Sequence, residues 1–370
     1  MAVPYVDLSV QYRKLKQEIL KKIEEIFNSG NYILTDEVKK FEENFAEYCQ
    51  TKYAIGVGSG TDALFLSLKA LDIKKGDEVI TAPNSFIATA GAIVAANAKP
   101  VFVDVRDDYN INPELIERAI TDKTKVIMPV HMTGRSADLE PIIEISKKHN
   151  LQVIEDAAQA IGAKYKEARV GSFGITGCFS LHPLKNLHIY GDGGVITTNN
   201  SEIYEKLIKL RNHGLINRDS CSLWGYNSRL DALQAGIANI KLKYIDQWNE
   251  KRRKIASFYR DNLSNLVKVP IDKVHEEPVY QVFVIRCGNR DELQKFLLQQ
   301  GIDTKVHYPI PIHLQNSAKD FGYKKGDFPN TEEQAKTILS LPIYPHITKE
   351  QINAVVENIK AFTKKTINRY

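Results

Sequence analysis

The sequence predicts an α/β protein: a mostly parallel central sheet flanked by helices, followed by a smaller C-terminal α+β domain. Between residues 78 and 155, short apolar runs alternate with helix-length segments, the pattern of parallel strands joined by crossover helices. Past Tyr244 that rhythm lapses into a long helical stretch, so the boundary is expected near Ile245, giving a large domain over 1–245 and a small one over 246–370. Beyond the boundary, Val279 to Arg286 alternates in the way a half-buried strand requires.

The elements follow in order. Leu15, Ile19, Ile23 and Phe27 recur every four residues and predict an amphipathic helix that stops near Gly30; Val38, Phe41, Phe45 and Tyr48 predict a second. Tyr53 to Val57 reads as a short strand, and Gly58-Ser59-Gly60-Thr61-Asp62 leads from it into a helix striped by Leu64, Leu68 and Leu71. Small residues entering a helix leave backbone N–H groups free at the positive end of its dipole, which suits a phosphate. Such turns are also common without a ligand. Strands are expected over Glu78 to Ala82, Pro100 to Val105, Lys125 to Val130 and Leu151 to Glu155, and helices over Ile87 to Ala96, Pro113 to Ile120 and Leu139 to His149. A strand through Phe179 is stopped by Pro183, and Val195 to Thr198 resumes after a glycine-rich loop. A helix from Ser201, a polar and aromatic segment from Trp224 to Asp231 and a long helix from Ala232 complete the large domain. In the small domain come a helix ending at Gly301, a strand from Thr304 to Tyr308, a rigid Pro309-Ile310-Pro311-Ile312-His313 turn, and a last helix opened by the capping box Thr348-x-x-Gln351.

Bulk properties exclude several classes. At 370 residues the chain buries a core easily, and a net charge of +5 spread along its length leaves no nucleic-acid footprint. The run Lys251-Arg252-Arg253-Lys254 lies within a helical pattern and reads as a solvated face. Cys49, Cys178, Cys221 and Cys287 are far apart, which argues against a disulfide framework or a metal site and fits a reducing cytoplasm. The first residues lack the apolar run of a signal peptide, and no segment approaches a membrane span.

The chemistry concentrates around Lys185. A lone lysine is ordinarily a solvated charge, but this one sits on a constrained loop after Ser180, and the upstream strand Leu151 to Glu155 runs into Asp156, followed by Gln159. A desolvated lysine can form a Schiff base, and pyridoxal phosphate needs such a lysine plus a carboxylate on its pyridinium nitrogen. In parallel sheets ligands gather beyond the carboxyl ends of the strands, where Phe86, Asp156 and Lys185 are all expected.

On these residues the chain resembles the DegT-type sugar aminotransferases, pyridoxal-phosphate enzymes of the type I aspartate-aminotransferase fold that act on nucleotide-linked keto sugars. The resemblance runs from Pro4-Tyr5-Val6-Asp7-Leu8 to the final helix, with motifs in family order: Gly30-Asn31-Tyr32-Ile33-Leu34, Gly58 to Leu64, Asp156-Ala157-Ala158-Gln159-Ala160, His182 to Leu187, Gly191-Asp192-Gly193-Gly194 and Gly225 to Asp231. It implies that Lys185 bonds the cofactor and later shuttles protons, that Asp156 partners the ring nitrogen, and that Gln159 lies near the phenolic oxygen. It also implies that Phe86 stacks on the ring and that Gly60, Thr61, Asp62 and Ser180 form a phosphate cup. Asn227 matches a phosphate contact donated by the other subunit, hence a homodimer with shared active sites. A branch with histidine at the lysine position dehydrates instead; this chain keeps Lys185, which favours amino transfer, and His182 is read as packing the loop.

The tail Lys305 to Gln315 is similar to the version in members that aminate carbon 3 of a dTDP-linked deoxy-keto hexose. This implies substrate contacts from His307, Tyr308 and His313, with Tyr32 also on the sugar and Arg229 on the diphosphate or the donor's carboxylate. The implied partners are L-glutamate and a dTDP-3-keto-6-deoxyhexose. Alternatives are a UDP-linked 3-keto sugar or sugar acid, or amination at carbon 4.

Overall fold

The computed structural model describes residues 2–367. Its centre is a seven-stranded sheet: β1 (Tyr53–Val57), β2 (Glu78–Thr81), β3 (Lys99–Phe102), β4 (Thr124–Ile127), β5 (Gln152–Asp156), β6 (Thr176–Ser180) and β7 (Gly194–Thr198), in the order β1-β7-β6-β5-β4-β2-β3. Neighbours from β3 to β6 pair in parallel, while β7 runs antiparallel to both β6 and β1. The reversal follows from the short loop between β6 and β7, which holds no crossover helix. It also brings Gly193 and Gly194, at the start of β7, to the end of the sheet where the other strands finish.

Both faces of the sheet are covered. Helices α1 (Leu8–Ser29) and α2 (Asp36–Cys49) supply Leu15, Ile19, Phe41 and Phe45 to one core, and α3 (Gly60–Ala70) and α4 (Ile87–Ala95) supply Leu64, Leu66, Leu68 and Ile93 to the other. Asp7 caps α1 by accepting from Ser9 N, and Gly30 closes it in the left-handed region at φ 67°. The stretch expected as one helix over Pro113 to Ile120 is a 3-10 turn, Pro113–Leu115, running into a single α turn, Ile116–Ala119.

The C-terminal core gathers Tyr259, Leu263, Phe283, Leu297, Leu341, Val355 and Ile359, together with Val3 from the N-terminus. The helix Ile245–Leu263 links the two regions: Ile245 and Trp248 belong to the core shared with α1 and α2, Ile255 to Leu263 to the C-terminal one. The strand expected over Val279 to Arg286 is regular only over Phe283–Arg286, where it pairs antiparallel with Ile338–Leu341. Tyr280 stands at φ 48°, and the carbonyls of Tyr280 and Gln281 accept from Arg252, so this stretch cannot join a ladder. The expected strand from Thr304 is reduced to one bridge, Lys305 to Ser340. The partner strand Ile338–Leu341 and the helix before it, Pro329–Thr337, carried no sequence expectation. No helix among the described residues is long and apolar enough to cross a membrane.

Candidate active site

The loops that leave the carboxyl ends of β1, β2, β5 and β6 close around one cavity of about 410 Å³, a size usual for small-ligand sites. Lys185 and Asp156 both line it. Asp156 is buried, and burial raises its carboxyl above the usual range; against this act a hydrogen bond from Thr89 Oγ1 at 2.7 Å, one from Ala158 N at 3.2 Å, and the charge of Lys185. Lys185 is lowered by burial, opposed by Asp156. The two form no ion pair among the described residues, and both face the same cavity. Burial makes the lysine easier to deprotonate, as a nucleophile and proton carrier requires.

One end of the cavity, at the start of α3, is built by absence of side chains. A Cβ on Gly60 would stand 2.7 Å from Ser180 Cβ, and one on Gly194 would stand 2.2 Å from Ser59 O. Ser59 caps α3 by accepting from Asp62 N, which leaves the first-turn N–H groups of Gly60 and Thr61 without a backbone partner beside Ser180. Asp62 itself faces away from the cavity: its N–H serves the cap and its carboxylate accepts from Ser228 Oγ at 2.7 Å.

Around the middle of the cavity stand Phe86, 54% exposed with its ring 5.6 Å from that of Tyr308, and Gln159, whose Oε1 accepts from Thr133 N at 2.9 Å. His307 Nδ1 pairs with Ser340 Oγ at 2.9 Å, and burial pushes its pKa down to about 4, aided by the charge of Lys185. His307 is therefore neutral at pH 7. Burial raises the Tyr308 phenol. His182 also lines the cavity, its Nδ1 accepting from Leu184 N at 3.2 Å.

Other expected site residues are not brought to this wall. His313 is buried, paired through Nε2 with Glu332 at 3.2 Å and packed edge-on against Phe328. Arg229 donates to Asn212 Oδ1 at 3.1 Å, while Tyr32 and Asn227 lie on the exposed surface. Conversely, Thr89, Tyr5, Gln281 and Arg252 line the cavity without having been singled out for it. Thr89 falls within the helix expected over Ile87 to Ala96. Arg252 was hidden in the basic run 251–254, although its spacing from Trp248, Ile255 and Tyr259 puts it on the buried helix face.

The lysine, the buried acid and the side-chain-free cradle suit pyridoxal phosphate, and comparison with known proteins agrees. The DegT/DnrJ/EryC1/StrS aminotransferase family matches residues 13–360. The chain belongs to that family. As an aminotransferase it is 47% identical over 98% of its length, and 99% of the relative's, to the pleiotropic regulatory protein of Geobacillus stearothermophilus. It is 44% identical (97% and 99% covered) to the dTDP-3-amino-3,6-dideoxy-alpha-D-galactopyranose transaminase of Aneurinibacillus thermoaerophilus. It is 41% identical (97% of both) to the UDP-N-acetyl-3-dehydro-alpha-D-glucosamine 3-aminotransferase of Acidithiobacillus ferrooxidans. Among solved structures, DesV of S. venezuelae, in complex with a ketimine intermediate, superposes with a TM-score of 0.96 at 39% identity over 98% of both chains.

Proposed function

We propose that this aminotransferase moves the amino group of L-glutamate to carbon 3 of a dTDP-3-keto-6-deoxyhexose, giving the 3-amino-3,6-dideoxy sugar nucleotide and 2-oxoglutarate. The observation that carries the reading is the placement of Lys185 and buried Asp156 on one cavity wall. Pyridoxal phosphate supplies the electron sink when bound. Gly60, Thr61 and Ser180 would hold its phosphate, Phe86 would cover its ring, and Asp156 would keep the ring nitrogen protonated. Lys185 Nζ takes the proton from the donor's α carbon, and in the second half-reaction returns one to carbon 3 of the sugar. His307 and Tyr308 orient the hexose from the small-domain side.

The functional unit in this reading is a cytoplasmic homodimer. Tyr32, Asn227 and Arg229 lie away from the cavity of their own chain, and exposed Trp224 and Tyr226 flank Asn227, so the segment is free to complete a neighbour's site. The transaminase of Aneurinibacillus supports the dTDP-linked substrate and that of Acidithiobacillus the UDP-linked alternative; both names place the nitrogen at carbon 3. The deciding experiment gives the purified holoenzyme glutamate with a panel of dTDP- and UDP-linked 3-keto and 4-keto sugars, and locates the new nitrogen by NMR. Turnover of a dTDP-3-keto-6-deoxyhexose above all others is expected. Preference for a UDP sugar, or nitrogen at carbon 4, would replace this substrate with the alternative.

A further inference from the structure

Arg135, Arg211, Arg252 and Arg290 are the buried arginines among the described residues. Arg135 pairs with Asp272 and Glu276, Arg211 with Glu42, and Arg290 with Asp291. Arg252 pairs with no carboxylate among the described residues. Its bonds all leave from Nη1, to the carbonyls of Ile343 at 2.8 Å, Tyr280 at 3.2 Å and Gln281 at 3.4 Å, while Nε finds no partner. A buried cation without a counter-charge is costly, and the protein keeps this one charged: burial lowers it only to about 10. Its location supplies the reason. Among the described residues, Arg252 and Lys185 are the only lysine or arginine side chains that the chain contributes to its own cavity wall, and Lys185 is committed to the chemistry.

The anions that enter this cavity differ in where they are met. The cofactor phosphate has its own cradle at Gly60, Thr61 and Ser180. Arg252 instead adjoins apolar Ile343 and Val282, with Tyr5 and Gln281 beside it and the Gln281 Oε1 unpartnered. One guanidinium among apolar neighbours suits a single small anion better than a diphosphate with its several oxygens and two charges. Every amino-acid donor brings such an anion. We propose that Arg252 receives a carboxylate of the amino donor, fixed in place by the three carbonyls on Nη1 so that Nη2 is left for the ligand. The inference rests on the aminotransferase reading with an amino-acid donor, and names the side chain that recognises it.

The test separates the two half-reactions of the holoenzyme. Bleaching of the yellow protein by glutamate reports the donor half; the sugar half is followed with glutamate-treated, desalted holoenzyme and a keto sugar that lacks a carboxylate. Arg252→Met is expected to raise the glutamate concentration for half-maximal bleaching about tenfold or more, with the sugar half changed less than about twofold. Arg252→Lys, which keeps the charge, should recover part of the loss. Donors in which glutamate's α- or γ-carboxylate is an amide locate the contact: replacing one of them should cost the native protein as much as Arg252→Met does, and cost the variant little more. Equal sensitivity of variant and native protein to both amides would overturn the proposal. So would equal loss in both halves, which would mark a fold-holding arginine, or loss in the sugar half alone, which would assign it to the sugar nucleotide. If Arg252→Met does not fold, the same amide comparison in Arg252→Lys decides. Failure of the native protein to bleach with any amino acid would instead remove the functional reading beneath it.

Discussion

The hydroxyl of Thr89 and the carboxylate of Asp156 stand 2.7 Å apart, both cut off from solvent, and the bond bears directly on how the site works. Burial alone drives Asp156 toward its neutral form, and a neutral acid cannot hold a ring nitrogen protonated; the Thr89 hydrogen bond is the largest influence in the opposite direction. Thr89→Val removes the donor at nearly constant shape. Because the carboxyl then rises further, less of it is ionised at any given pH, so the acidic limb of the glutamate half-reaction should move to higher pH. A hydrogen bond to a charged group is worth about 1.5–3 kcal/mol, so on that acidic limb the rate at a given pH should fall by about one to two orders of magnitude. Thr89→Ser should restore both. A pH–rate profile of the three proteins checks this, and an unmoved acidic limb in Thr89→Val would show that Thr89 only packs.

At the level of elements, legibility followed how local the signal was. The helices α1 and α2 and the alternation from β2 to β5 were readable because apolar period and turn residues agree over each segment. Lys185 and Asp156 were readable because each ends or follows a strand at the edge where ligands gather. The strand Ile338–Leu341 was not, since Ile-Leu-Ser-Leu carries too few residues for a period, and its partner at Phe283–Arg286 is distant in sequence. Arg252 was missed for the opposite reason: three basic neighbours masked its place on a buried helix face. Asp62 belonged to a phosphate-type turn, yet its side chain is spent on Ser228, a contact made across more than 160 residues. The junction of β7 with α3 gives an element-scale test. A Cβ at Gly194 would lie 2.2 Å from Ser59 O and 2.8 Å from Gly60 N, so the cradle must open to admit it. Gly194→Ala should cost about 1–3 kcal/mol of stability and weaken cofactor binding at least as much. Calorimetric melting and a spectrophotometric cofactor titration measure the two; unchanged cofactor affinity would detach this cradle from the phosphate.

For the whole molecule, the outcome turns on which chain supplies Asn227. Its side chain is exposed and away from the cavity of its own chain, in a segment where Trp224 is 92% exposed. If two copies pair so that each Asn227 completes the other's site, a protein lacking Lys185 and a protein lacking Asn227 are each defective in every site. Mixed dimers differ. One of their sites then collects both lesions and the other collects none, so random reassociation of equal amounts should recover about a quarter of native activity, half the dimers being mixed with one intact site each. Were Asn227 to act within its own chain, every site in the mixture would keep one lesion and no activity would return. Lys185→Ala and Asn227→Ala proteins, dissociated, mixed and reassociated, then assayed against each parent treated alone, distinguish the arrangements. Activity equal to the mean of the parents would end the shared-site reading while leaving the chemistry of Lys185 untouched.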